Sequence, residues 1–211
     1  MAWLLLYPRL HQISIMKHFI SYFLFLCIIL TGMIARGQQY PAVAGIYLSA
    51  EDYRNGTLTY RQADPLQKYK IRADQPGKQS KVKVIRGDET INLDKSSLYG
   101  FRDGKNRLYR VFNKSNFRIL SSDSLMLYSR EETVANGKER LRKTNYYFSD
   151  GPDGRLVKLT MDNLKQVYRQ NRAFHDLLDM HFSSDRDLMR YDKLYSQYKV
   201  EYLLDKTIGN L

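Results

Sequence analysis

The 211-residue chain has one cysteine and one tryptophan, Cys27 and Trp3. Both lie in a stretch that reads as removable, so the remainder carries no thiol and no indole. That excludes disulfides, thiolate nucleophiles and cysteine-held metals there. Histidine is scarce as well: four in all, with only His175 and His181 beyond residue 18. No serine sits in a Gly-x-Ser-x-Gly context, and neither a phosphate loop nor a dinucleotide fingerprint occurs. Nucleophilic catalysis therefore has little material to work with. Carboxylate-pair catalysis stays open, because pairing of acids is a three-dimensional property.

Long apolar runs are also rare, and the one present is informative. Met16-Lys17-His18 is a short basic segment, followed by an apolar run from Phe19 to Leu30 and then by Ala35-Arg36-Gly37. That order reads as a secretory signal peptide over 16–37, with Gln38 as the first mature residue. Residues 1–15 read as a mis-called N-terminal extension, since Pro8 and Arg9 interrupt the apolar start. A second reading keeps residues 19–35 as a single membrane helix, at the lower limit of a spanning length. Leu26 before Cys27 argues against a lipoprotein. Residues 38–211 are expected to form one exported domain, mainly β over 45–160 and helical over 161–208.

Positive charge is abundant: the whole chain carries +12. Arg9, Lys17 and Arg36 account for three of those charges, so the exported part stays strongly basic. A basic exported protein points to an anionic envelope polymer or another envelope protein as partner, and away from nucleic acid. The 17 tyrosines fit strand positions as readily as a binding surface.

Turn signals recur at short intervals. Ser49 caps a short helix closed near Gly56. Lys81 to Ile85 alternates, turns at Gly87-Asp88 and returns through Thr90 to Leu93. Leu98 to Arg102 pairs across Asp103-Gly104 with Arg107 to Phe112. Phe117 to Leu120 pairs across Ser122-Asp123-Ser124 with Leu125 to Tyr128, and Asn136-Gly137 joins that strand to Arg140–Phe148. Turns are also read at Asp74–Lys78 and Asp150–Gly154. The period then becomes helical: Thr160 caps a helix, Phe174 to Phe182 marks a second, and Ser184 with Asp187 starts a third. That last helix is expected to carry Leu188, Tyr191, Tyr195, Tyr198 and Tyr202 on one stripe. The fold class is α+β: an antiparallel β-meander of about 6–9 strands, then a C-terminal segment of about 2–3 helices.

Few residues suggest chemistry. His175 and Asp179 share a helical face, which would begin a two-ligand metal site, but no third ligand has motif spacing. His181 falls on the apolar side and reads as a core residue. Arg86-Gly87-Asp88 matches an adhesive tripeptide, although Gly-Asp is what a tight turn uses. Arg102, Lys105, Arg107, Arg110, Lys114 and Arg118 interleave with Tyr99, Phe101, Tyr109, Phe112 and Phe117. If they converge, they make an anion-binding face; if strands alternate, one face is covered and the other solvated. No catalytic, metal or cofactor residue is assigned.

The start Met16–Phe19, Gln38-Gln39, and the segments Gly45–Tyr53, Leu98–Arg110 and Phe174–Leu178 resemble exported proteins of Bacteroidetes bacteria that have no assigned activity. The resemblance implies the compartment and no site. It also makes Asp123-Ser124-Leu125 look like the short O-glycosylation sequence of those bacteria, displayed on a hairpin turn. The expected function is a non-catalytic binding domain of the envelope or cell surface. The alternatives are a glycan-directed hydrolase and a membrane-anchored structural protein.

Overall fold

The computed structural model describes residues 43–208 apart from 65, 68, 74–79 and 137–138. Contacts divide the chain into Met1–Tyr40 and Pro41–Leu211, and the described residues all belong to the second unit. The signal-peptide, extension and anchor readings, and the turn at Asp74–Lys78, lie outside the described residues. No helix among the described residues is long and apolar enough to cross a membrane.

Seven strands form the main sheet in the order β1 (Gly45–Tyr47), β5 (Gly100–Arg102), β6 (Leu108–Phe112), β7 (Ser115–Ser122), β8 (Met126–Asn136), β9 (Glu139–Ser149) and β10 (Val157–Lys158). Every pairing is antiparallel. From β5 onward, sequence neighbours are sheet neighbours, so the meander is real. It begins at Gly100, and the alternating run from Lys81 to Leu93 lies outside it: β2 (Tyr69–Arg72), β3 (Lys81–Arg86) and β4 (Glu89–Asp94) form a separate three-stranded sheet. Helix α1 (Ala50–Arg54) follows β1, while α2 (Met161–Val167), α3 (Arg172–His181) and α4 (Lys199–Ile208) end the chain. The architecture is α+β.

Local chemistry explains most boundaries. Ser49 and Asp52 exchange side-chain and backbone hydrogen bonds at the start of α1, a complete capping box. Thr160 Oγ1 accepts from Asn163 N at the start of α2. Gly87 alone takes a positive φ, 59°, in the β3–β4 hairpin, the pattern of a type II′ turn. The β5–β6 connection is wider than Asp-Gly suggests. Asp103 Oδ1 accepts the N–H groups of Lys105 and Arg107, and Asn106, not Gly104, enters the left-handed region. The β6–β7 turn at Asn113-Lys114 has both residues at positive φ (47° and 59°) between the paired Phe112 and Ser115.

Alternation divides the main sheet into two faces. On one face, Ile46, Phe101 and Val111 pack with Val82 and Val84 of the small sheet. Further along it, Leu127 and Phe148 pack with Leu164, Phe174, Leu178, Leu203 and Leu204 of the C-terminal helices. On the opposite face, Phe117, Met126 and Tyr128 pack with Tyr53 of α1 and with Leu156. Gly100 sits where β5 and β6 approach: a Cβ there would lie 2.2 Å from the Tyr109 carbonyl oxygen. Gly100→Ala must push one strand off the other, and urea denaturation is expected to show a loss of about 2 kcal/mol.

The tyrosine stripe is corrected. Residues 185–189 form a 3-10 helix, and Tyr191–Asp192 pairs with Gln197–Tyr198 as a two-stranded hairpin before α4 begins. Asp192 Oδ1 accepts the Leu194 and Tyr195 N–H groups, and Ser196 adopts φ 53°, so the backbone turns where a helix would continue. Tyr191 instead meets Tyr198 edge to face, and Tyr195 stacks on Tyr202 with centroids 4.4 Å apart.

Candidate anion-binding face

The six cations singled out from the sequence do not converge. Arg110 pairs with Phe117 and Arg118 with Tyr109, so alternation places the two arginines on opposite faces. Arg107 is held by Asp103, with Nε donating to Oδ2 at 2.7 Å, and its guanidinium lies over the Tyr109 ring. Burial pushes the Asp103 carboxyl up, but the Arg107 side chain and the Arg107 and Lys105 N–H groups hold it below the usual range. Lys105 and Lys114 occupy turns.

Arg110 is the exception to every surface reading. It is 5% exposed. Its guanidinium donates to the Tyr128 hydroxyl (3.1 Å), the Ser149 hydroxyl (3.3 Å) and the Gly154 carbonyl (2.9 Å). The Tyr99, Phe112 and Tyr128 rings surround it at 5.3, 5.6 and 5.9 Å. This is a cation held by rings and neutral acceptors, and it ties the loop at Gly151–Gly154 to the sheet. It is structural.

Other candidates are also re-placed. The His175 imidazole bonds the Tyr168 carbonyl at 3.0 Å, and Asp179 accepts from Lys165 Nζ at 2.6 Å. No group of three or more metal-ligating residues occurs among the described residues. His181 is half-buried at the end of α3 and not in the core. Arg86 spends its guanidinium on Glu89 at 2.6 Å within its own hairpin, which leaves the tripeptide as turn chemistry. The Ser124 hydroxyl oxygen is buried, without a hydrogen-bond partner among the described residues, and that burial contradicts its display as a glycan acceptor.

The cationic surface that the fold does assemble lies on the small sheet. Val82 and Val84 point into the core, so Lys81 and Lys83 point out. The register sets Arg72 directly opposite Lys83 and Lys70 opposite Ile85. All four cations are exposed. On β4, the same face carries Thr90, Asn92 and Asp94. Asp94 stands directly opposite Lys81; bonds from the Ser96 hydroxyl and N–H, aided by the charges of Lys114 and Lys81, hold its pKa below the ordinary value. Among the described residues no ion pair involves Lys70, Arg72, Lys81 or Lys83. Like charges directly opposite on a sheet are destabilising, and the Arg72–Lys83 pair carries that cost with no ion pair of its own among the described residues. An external anion would relieve it.

A second basic stretch on β9 differs in kind. Arg140 and Arg142 share one face of the β8–β9 ribbon with Glu131, and Lys143 lies on the other, directly opposite Glu132. Mixed charge of that sort is the usual protection of exposed strand edges. No protein-family model, curated protein or solved structure matches the chain.

Proposed function

We propose that this chain is an exported, non-catalytic binding domain that engages an anionic partner through the outer face of the β2–β3–β4 sheet. The observation that carries the reading is the register placing Arg72 against Lys83, with Lys70 and Lys81 on the same exposed face and none of the four in an ion pair among the described residues. A face made only for solvation gains nothing from setting two cations side by side. A face made for an anion does, because each cation adds long-range attraction and a released counterion.

The test is retention of the full chain on a sulfated resin across a salt gradient. Exchanging Lys70, Arg72, Lys81 and Lys83 for glutamine is expected to move elution to markedly lower salt. Exchanging Lys105, Arg140, Arg142 and Lys143 instead changes net charge equally and is expected to move it far less. Equal shifts in the two variants would contradict the reading, because net charge alone would then explain retention. Arg72→Thr adds a separate check: retention is expected to weaken while thermal stability holds or rises slightly, since the cross-strand repulsion is gone.

A further inference from the structure

We infer that the ligand of this face is a linear acidic polysaccharide lying obliquely across β3 and β2, its successive anionic groups meeting Lys81, Lys83, Arg72 and Lys70 in that order. The inference rests on the reading of the face given above. It follows from where the register puts each charge. Lys81 and Lys83 are two residues apart on one strand, so their side chains are about 6.7 Å apart. Arg72 stands across from Lys83, with Cβ atoms about 5 Å apart. Lys70 lies two residues further along β2, again about 6.7 Å away. The four cations thus form one oblique line about 14 Å long, with a step of roughly 5–7 Å.

A line is a different recognition device from a pocket. Strand side chains stand roughly perpendicular to the sheet, so these four run side by side and do not converge. One small anion reaches one or two of them. A polymer with an anionic group at each repeat reaches all four. The uncharged part of the face suits a sugar chain: Asn92 stands opposite Lys83, Thr90 stands opposite Ile85, and Ile85 itself is half-buried beside Lys70. Asn92 and Thr90 offer hydrogen-bond partners to hydroxyls, and Ile85 offers a small apolar floor. No aromatic residue lies on the face between Lys70 and Asp94 among the described residues, whereas single-stranded nucleic acid is held by stacking on aromatic rings.

The experiment titrates the full chain with size-defined oligogalacturonides and compares inorganic phosphate and a short oligothymidylate at matched ionic strength. Affinity is expected to rise at least tenfold from disaccharide to hexasaccharide. The slope of log affinity against log salt should rise with it, by about 0.7–0.9 for each further cation engaged. Arg72→Gln should lower the hexasaccharide slope by about one such step. Inorganic phosphate or the disaccharide binding as tightly as the hexasaccharide would overturn the linear ligand while leaving the face as an anion site. Tighter binding of oligothymidylate than of the hexasaccharide would replace polysaccharide by nucleic acid. If the Lys70, Arg72, Lys81 and Lys83 glutamine variant keeps full hexasaccharide affinity, the face itself is the wrong place and both readings fall.

Discussion

Arg110→Ala is expected to destabilise the fold by about 4 kcal/mol. The truncation opens a cavity among Tyr99, Phe112 and Tyr128 and removes three cation–π contacts. It also strips the Gly154 carbonyl of its charged donor. Tyr128 and Ser149 keep each other at 2.8 Å, and Ser149 keeps Gly151 at 2.7 Å, so part of the network survives. Arg110→Lys is the sharper comparison. It retains the charge but not the planar fork, and a strongly hydrated ammonium suits an aromatic enclosure poorly. A loss of about 2 kcal/mol is expected for it in urea denaturation. A lysine variant as stable as the parent would show that charge alone suffices there.

Glu201 has the second large effect, and its sign is opposite to that of most carboxylates. The side chain on α4 is fully buried; Oε2 accepts the Tyr198 N–H at 3.2 Å, and Oε1 meets no hydrogen-bond criterion with a partner among the described residues. Burial pushes the carboxyl up to about 7; the Ser121 side chain and the Tyr198 N–H oppose the rise, and Asp123 and Asp205 add to it. The folded chain therefore holds this proton more tightly than the unfolded chain, whose ordinary value is 4.5. The stabilisation is complete below that value and is lost as pH climbs from about 4.5 to about 7, a fall of roughly 3 kcal/mol. Glu201→Gln stays neutral throughout. It is expected to lack this fall and to exceed the parent in stability at pH 8. His181 works the other way in part of the window, because partial burial and then Lys199, Lys206 and Arg190 lower its pKa. The difference between parent and Glu201→Gln curves removes that contribution. Parallel curves from pH 5 to 8 would contradict the assignment.

Much of the β architecture is legible in local sequence, because its turns rest on residues that need little tertiary help. Gly87-Asp88 and Ser122–Ser124 mark hairpins that exist, β8 and β9 pair on either side of the Asn136-Gly137 signal, whose Gly137 lies outside the described residues, and Ser49 and Thr160 cap helices that exist. The misses have physical causes. Tyr191, Tyr195, Tyr198 and Tyr202 have helical spacing, yet the same spacing serves a cross-strand pair followed by a stacked pair, and the Asp192 side chain tips the balance locally. Asn113-Lys114 has no glycine to announce a turn, yet asparagine readily takes positive φ there. Arg110 belongs inside because rings and neutral acceptors from four separate segments meet it, and no local pattern announces such a meeting.

The cationic face proposed to bind an anion is half visible in the sequence. Lys81-Val82-Lys83-Val84 and Tyr69-Lys70-Ile71-Arg72 each alternate cation with apolar residue, so each strand exposes its cations on one side. What the sequence leaves open is that these two strands pair, and pair in the register that sets Arg72 against Lys83. A shift of one residue would put the cations of one strand on the opposite face from those of the other. The proposed site is a product of register, so composition alone points to an anionic partner while no local motif marks these two strands.

Amide chemical-shift mapping of the full chain, titrated with an acidic hexasaccharide at moderate salt, tests the central claim most directly. Shifts are expected on Tyr69–Arg72, Lys81–Ile85 and the facing residues Thr90 and Asn92, and they should fade as salt is raised. Shifts centred on Arg140–Lys143 or on the Asp103–Arg107 turn, with β2 and β3 silent, would contradict it.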